Sequence, residues 1–569
     1  MDALAALDNT SRIIRILPFI PSGMGHFRRV KPLCMGGIFS FAGVLFMKIP
    51  NMILRSYREL HSWVGIVAGL FLFVAFYAGA ITMFEQPIQD WASQTVSLPP
   101  PVSLHATPEL LEKTFAAHPE ARKSYTVYLA PNAAHPERLS WFAPLSHGHV
   151  GQATLAALDE KGALVTAKPQ ISANAHFINL LHQQVGLPFP HETSLLVTGV
   201  VGLLYGVALL SGIIIFLPKM AENLFAVRLT NSFRRKWLDL HNLLGIFSLP
   251  FHLVMALTAV VFAFHDPVFD VQHALFAKSN PPLTLSEKIR PSTEQGRLSQ
   301  KANQAKTKPS SSLPLEPEKI VNSLELQAAG FVPEMLNYSQ NKEGQLVLRV
   351  AGHDSRYGMR GASRGFAEID PYSGKILSSD YLPGHQSTGF AILTTFFALH
   401  FGNFGGNFVR WGYVLLGLGG AFLFYTGNQL WINARKRREI KSGETSSATQ
   451  FLDCLTAGCV NGCISGISAI FCAAFWLPHG GDYKNIASVY YGVFVLFVIL
   501  AFCLKTRYRN SILLSLSGLI TLLIPVMASL YGHKALLLRP NVTINLIAVF
   551  LGVFLFWAAG REKKLSGKV

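Results

Sequence analysis

One stretch of this chain occurs twice. Leu60-His61-Ser62-Trp63-Val64-Gly65-Ile66 and Leu240-His241-Asn242-Leu243-Leu244-Gly245-Ile246 each open a long apolar run, with His61 and His241 180 positions apart. The same offset lays Phe71 on Phe251, Phe84 on Phe264 and Pro87 on Pro267. A repeat of a whole structural unit constrains architecture ahead of any local pattern. The unit here is an apolar helix exceeding the roughly 20 residues that cross a bilayer, with a histidine in its first turn. Two membrane helices therefore bring one imidazole each to the same depth.

Composition agrees with that reading. Of the 569 residues 50% are hydrophobic and 14% are charged, where soluble domains carry about a quarter charged residues. The net charge of +17 points to topology rather than nucleic acid, because the Lys and Arg residues lie between apolar runs. Six cysteines, Cys34, Cys454, Cys459, Cys463, Cys472 and Cys503, leave the long polar segments without any, which excludes a disulfide framework there.

Taken in order, residues 1–53 are an N-terminal extension with a possible natural start at Met47. A first span (54–85) is followed by a polar segment (86–175), with strand-like stretches at Ser124 to Leu129 and Gln152 to Leu158 and a turn at Asp159-Glu160-Lys161-Gly162. An outer histidine segment with the second span (176–218), a basic loop (219–237) and a third span (238–265) come next. The second polar segment (266–387) begins with a Ser-, Lys-, Gln- and Pro-rich linker, Asn280 to Pro317, expected to be mobile. It continues with strand patterns at Gln345 to Val350 and Gly365 to Asp370 and a turn at Pro371-Tyr-Ser-Gly374. A further histidine segment with the fourth span (388–434), a basic linker (435–450) and four more apolar runs (451–569) complete the chain.

The predicted fold class is a mainly α-helical polytopic membrane protein: a histidine-bearing four-helix bundle, two inserted α+β domains and four additional C-terminal transmembrane helices. Eight crossings put the basic loops on one side, which the positive-inside rule makes cytoplasmic. Both termini would then be cytoplasmic and both polar segments external.

Histidines carry the chemistry. His61 and His241 lie just inside the basic side. On the other side Leu181-His182 precedes the second span and Leu399-His400 the fourth, and these segments look like copies ending in Ser211-Gly212 and Thr426-Gly427. His252 follows His241 by eleven residues. On a straight helix that places it within about 20° of the same face and roughly 16 Å deeper. An ionisable side chain in hydrocarbon is costly unless paired or coordinated, and two neutral imidazoles facing each other across a bundle can hold a haem iron axially. The expectation is a bis-histidine haem at His61/His241 and another at His182/His400, with His252 able to replace one partner of the second. The plain reading of each histidine alone is an interfacial polar residue. Matched depth in two copies is what favours ligation. His147 and His149 read as a surface pair, Cys459 and Cys463 as small packing residues, and Arg435 to Arg438 as a topology anchor.

At this point the chain resembles the PepSY-associated transmembrane family. The matching residues are Tyr57-Arg-Glu-Leu-His-Ser-Trp63, Leu181-His182, Asp239-Leu-His-Asn-Leu-Leu-Gly245, Leu399-His-Phe-Gly402 and Glu368-Ile-Asp-Pro-Tyr-Ser-Gly374, the last in the style of a PepSY strand and turn. The likeness covers roughly Leu54 to Arg438. Within the family the chain is similar to bacterial inner-membrane ferric-siderophore reductases that carry two b-type haems. That resemblance implies two PepSY-like periplasmic domains and two haem b as cofactors. It also implies a ferric siderophore or other Fe(III) chelate as the periplasmic acceptor. The electron donor stays open between a separate protein and the quinol pool, since no Gly-rich dinucleotide fingerprint or P-loop is visible. Two rival classes are a metal- or proton-coupled transporter built on the repeats and a non-catalytic PepSY binding or regulatory membrane protein.

Overall fold

The computed structural model describes residues 50–566 apart from residues 94–95, 132–134, 143–152, 170, 220–232, 277–312, 342–343, 359–363, 444–445, 478–480 and 532–540. The expected early start and extension up to residue 49, His147 and His149, and most of the Asn280 to Pro317 linker fall outside the described residues. Pro317 itself opens a helix.

The first half comprises α1 (Asn51–Thr82), α2 (Glu85–Ala92), α3 (Thr107–Ala117), β1 (Ser124–Tyr128), β2 (Leu139–Phe142), β3 (Ala153–Leu158), β4 (Leu164–Ala167), α4 (Asn174–Gln183) and α5 (His191–Phe216). The second repeats that plan. It contains α6 (Phe233–Phe247), α7 (Leu249–Phe276), α8 (Pro317–Gln327), β5 (Val332–Gln340), β6 (Leu346–His353), β7 (Gly365–Ile369), β8 (Ile376–Ser378), α9 (Thr388–Phe401) and α10 (Gly406–Ser442). Four more helices follow: α11 (Ser447–Trp476), α12 (Tyr483–Cys503), α13 (Thr506–Tyr531) and α14 (Asn541–Ser566).

Hydrocarbon leaves the backbone no partner but itself, so apolar runs of this length fold as helices. Among the described residues seven helices are long and apolar enough to cross a membrane, or eight if a bent pair is one span. The chain is a multi-pass membrane protein. Two helices form the centres of its two bundles: α1, 61% buried over its apolar window, and α11, 67% buried. Around α1 pack α4, α5 and α10, while α12 and α13 pack on α11 and α14 packs on α13. Glycines permit the closest approaches. At Gly417 of α10 an added Cβ would lie 3.0 Å from the Ala80 Cβ of α1, and at Gly462 of α11 it would lie 2.9 Å from the Phe494 carbonyl of α12.

The bent pair corrects one sequence expectation. The third span was read as one straight helix. It turns by 68° between α6 and α7, where Pro250 brings no N–H and the Ser248 hydroxyl donates to the Leu244 carbonyl at 2.5 Å. His252 consequently leaves the line of His241, and the shared-face argument from helical period does not apply across the bend.

Outside the bundles the two polar segments build one object. Among the described residues all eight strands form a single antiparallel sheet in the order β4-β3-β2-β1-β5-β6-β7-β8. The two expected inserted domains are therefore two halves of one unit, each a helix followed by a four-stranded meander, joined where β1 pairs with β5. The register there is Tyr125↔Tyr338, Thr126↔Asn337 and Val127↔Leu336. At the middle pair the Thr126 hydroxyl donates to Asn337 Oδ1 at 2.9 Å, and beside it the Tyr125 and Tyr338 rings stack at 4.6 Å. A single core of Leu110, Val127, Ile320, Leu324, Leu336 and Leu348, from strands and from α3 and α8, runs across the joint. The turn expected at Asp370 to Gly374 is present, with Gly374 at φ 71° and its N–H bonded to the Asp370 carbonyl at 2.8 Å.

Near the joint, Glu334 of β5 accepts from Arg364 and pairs with His353 Nδ1 at 2.7 Å. Burial disfavours its charge, but the bonds from Arg364 and His353 outweigh that and hold the carboxyl below its ordinary range. A depressed folded pKa means that this contribution is complete above the unfolded glutamate range and is lost as pH falls through the folded value. Glu334→Gln is expected to lower the melting temperature of the sheet near neutrality and to converge on wild type in acid, read by tyrosine circular dichroism. A deficit that is the same in acid would remove the ion pairs as its cause.

Candidate functional site

Four of the five singled-out histidines meet in two pairs. His61 of α1 and His241 of α6 face each other with ring centroids 6.5 Å apart. His182 of α4 and His400 of α9 do so at 6.2 Å. Two imidazole nitrogens each about 2 Å from one metal would set their ring centroids roughly 6 Å apart. Both pairs have that spacing.

The hydrogen-bond partners define which nitrogen each ring offers. His61 Nδ1 lies 2.9 Å from the Ala208 carbonyl on α5, with Ser211 Oγ at 3.2 Å. His182 Nδ1 lies 2.8 Å from the Ala75 carbonyl on α1. A carbonyl only accepts, so both Nδ1 atoms carry the hydrogen. His241 Nδ1 meets Thr426 Oγ1 of α10 at 3.1 Å, and His400 Nδ1 meets Thr258 Oγ1 of α7 at 2.6 Å. Each threonine gives its own hydrogen to a carbonyl, Thr426 to Leu423 at 2.8 Å and Thr258 to Val254 at 2.6 Å. Their oxygens therefore accept from the histidines. All four rings are the Nδ1–H tautomer, with the lone pair on Nε2, and no hydrogen bond among the described residues engages Nε2. This is the arrangement of metal-bound histidine, whose remaining N–H is oriented by an oxygen behind it.

Space around the rings is kept by glycine. A Cβ on Gly79 would lie 2.7 Å from His182 Nδ1, one on Gly212 3.2 Å from His61 Cε1, and one on Gly427 3.4 Å from His241 Cε1. His400 ends α9, which Gly402 stops in the left-handed conformation at φ 61°.

The donor set also limits what can bind. Among the described residues no group of three or more His, Cys, Asp or Glu can hold a metal ion. Two nitrogens alone do not complete the shell of a bare Zn2+ or Fe2+ ion. A pair of imidazole nitrogens would suit an iron whose remaining ligands are supplied by a macrocycle, as in haem. Cys459 and Cys463, on the packed length of α11, join no such group.

His252 is not brought to either pair. It is fully buried, with Nδ1 against the Tyr205 hydroxyl and Nε2 unpartnered. Its ring neighbours are Phe76 at 5.5 Å, Phe251 at 5.6 Å and Phe424 at 6.2 Å. Phe76 follows Ala75, the partner of His182, and Phe424 follows Leu423, the acceptor for Thr426. This aromatic group thus lies between the two pairs. Sequence reasoning missed Thr258 and Tyr205 and gave Thr426 no role, although Ser211-Gly212 and Thr426-Gly427 recurring at matched ends of two copies was the available signal.

A helical, multi-pass membrane protein with two facing histidine pairs and an external antiparallel sheet is the class defined by this geometry. Residues 58–434 match the family profile described as the PepSY-associated TM region, more than half of the chain, and the chain belongs to that family. The match ends before α11. No curated protein matches the chain.

Removing the oxygen behind one ring tests the assignment of tautomers. Thr258→Val leaves the His400 Nδ1–H buried without an acceptor, a cost of about 1–3 kcal/mol. The expected outcome is a shift of the His400 ring 15N resonances away from the pure Nδ1–H pattern, with His241 unchanged; an unaltered His400 spectrum would show that Thr258 does not set the tautomer.

Proposed function

We propose that this protein is a b-type dihaem oxidoreductase of a bacterial inner membrane that reduces Fe(III), held by a siderophore or similar chelator, on the side of the sheet. The observation that carries the reading is the two facing imidazole pairs, in which all four Nδ1–H groups are bonded to a neighbouring helix and no hydrogen bond among the described residues engages Nε2. Each site would hold one haem b, which when bound supplies a one-electron carrier. His61 and His241 would ligate one and His182 and His400 the other.

What the chain's own residues do follows from their positions. The carbonyls of Ala208 and Ala75 and the hydroxyls of Thr426 and Thr258 orient the rings and raise their basicity as ligands. Gly79, Gly212 and Gly427 leave room beside the rings. Phe76, Phe251, Phe424 and Tyr205 keep water out of the stretch between the sites, a low-dielectric interval that favours moving an electron over moving an ion. The positive-inside rule, applied to the basic loops, supports a cytoplasmic His61/His241 site and cytoplasmic termini. The sheet then stands in the periplasm above His182 and His400, and Phe404 in the loop after His400 meets Gly358 beyond β6, where an added Cβ would lie 3.4 Å from the phenylalanine Cβ. Reduction promotes release because hard oxygen ligands favour Fe(III) over Fe(II).

Purified protein should show a b-type spectrum on dithionite reduction, with two haems per chain. His241→Ala should lose about one equivalent and keep the His182/His400 site. Gly79→Val should lose the other, since a side chain there meets His182. A colourless preparation, or retention of both haems in His241→Ala, overturns the reading.

A further inference from the structure

Two offsets relate the halves of the histidine bundle. An offset of 180 carries α1 onto α6 and α7, and one of 215 carries α5 onto α10, as Ser211 onto Thr426. Packing obeys both. An added Cβ on Gly417 would lie 3.0 Å from the Ala80 Cβ, and one on its copy Gly202 would lie 3.2 Å from Cγ2 of Val260, the copy of Ala80. About one turn nearer the basic side the correspondence fails. Tyr205 stands where the other half has Gly420, and His252 stands where the other half has Leu72. These two polar side chains meet, the Tyr205 hydroxyl against His252 Nδ1, and are 2% and 0% exposed. The glycine makes room for the imidazole: an added Cβ at Gly420 would lie 3.0 Å from His252 Cε1 and 2.5 Å from the Phe76 ring.

An ionisable side chain buried in a span is a functional candidate, and this one departs from the duplicated plan. Helix packing alone would account for a bond between α5 and α7. It gives no use to Nε2, which has no partner among the described residues.

Counting hydrogens assigns the tautomer. If Nδ1 carried the hydrogen, Tyr205 would accept it, and both the hydroxyl hydrogen and the Nε2 lone pair would be left over. If Tyr205 donates to Nδ1, only an Nε2–H is left over. The second arrangement leaves one buried group unmet instead of two and is favoured. His252 is then the opposite tautomer to the four paired histidines, and its Nε2 has no lone pair for a metal. It presents the positive end of an N–H bond among Phe76, Phe251 and Phe424, an apolar surround that screens it little. Tyr205 is three residues, roughly 4.5 Å of helix, from Ala208, the anchor of His61, and His252 is six residues, roughly 9 Å, from Thr258, the anchor of His400.

We propose that His252, held by Tyr205, is a positioning residue for the electron: its fixed Nε2–H dipole stabilises negative charge at the nearer, His61/His241 site and so sets how an electron is shared between the two haems. The proposal rests on the dihaem assignment. Preorganised N–H dipoles in dry surroundings act in this way on charge that arrives beside them. In the step, Fe(II) at one site becomes Fe(III) and Fe(III) at the other becomes Fe(II). No bond forms or breaks, and His252 keeps its hydrogen.

The test uses the full chain in lipid nanodiscs. The ring 15N resonances of His252 are expected in the Nε2–H pattern, moving toward a mixture of tautomers in Tyr205→Phe; an Nδ1–H pattern in wild type overturns the proposal. In redox titrations that resolve both haems, His252→Leu, which installs the other half's residue, should keep both b-type spectra. It should lower the affinity of the His61/His241 haem for its electron, relative to the other haem, about tenfold, or about 59 mV for one electron. His252→Gln, which keeps an N–H, should stay within about threefold of wild type. Tyr205→Phe, which keeps the volume, should move the balance in the same direction as His252→Leu, and it decides the matter if His252→Leu does not assemble. An unchanged balance, a shift in the opposite direction, or loss of a haem from His252→Leu overturns the proposal and leaves the dihaem reading standing. A wild-type chain that dithionite does not convert to a reduced b-type spectrum overturns both.

Discussion

The structure depends on four imidazole N–H groups, each anchored on an oxygen of a neighbouring helix. His61 ties α1 to α5, His182 ties α4 to α1, His241 ties α6 to α10 and His400 ties α9 to α7. Each bond is between polar groups in an apolar surround, where leaving either one unmade costs more than in water. The same four bonds leave the opposite nitrogens without a hydrogen bond among the described residues, on rings that face each other in two pairs. Orientation of the rings and assembly of the bundle are therefore one event, and Gly79 and Gly212, each in the last turn or so of its helix, leave the rings room.

Much of this was legible before any coordinates. A histidine in the first turn of two helices 180 residues apart is a statement about depth, and depth is what pairs His61 with His241. The external pair, His182 and His400, followed from the same logic applied to the second copied segment. What stayed hidden depends on contacts between distant parts of the chain. The pairing of β1 with β5 requires a register between residues 124 and 339, and alternation within either strand says nothing of its partner. The 68° turn at Ser248 was signalled by Pro250, but an apolar run on both sides masked it, and with it went the placement of His252. Thr258 is an ordinary threonine until α9 is laid beside it.

Duplication unites the membrane and external parts. Each half of residues 58–434 contributes one histidine to each pair, so neither copy holds a complete pair by itself. The sheet obeys the same rule, since each four-stranded meander meets its twin at a joint whose centre is the bond between Thr126 and Asn337. Two copies facing each other across an approximate two-fold axis is how homodimers are built, and here the operation is carried within one polypeptide.

That joint leaves a particular outline. It pairs β1 with the nine-residue β5, each of which would otherwise be an open edge of its meander, and leaves at the rims β4, four residues long, and β8, three. Rims this brief offer too few open amides to template another ribbon. A sheet that would otherwise invite edge pairing between neighbours at high density on a crowded membrane is in this way self-limiting at its borders, and α3 and α8 close one of its faces as well.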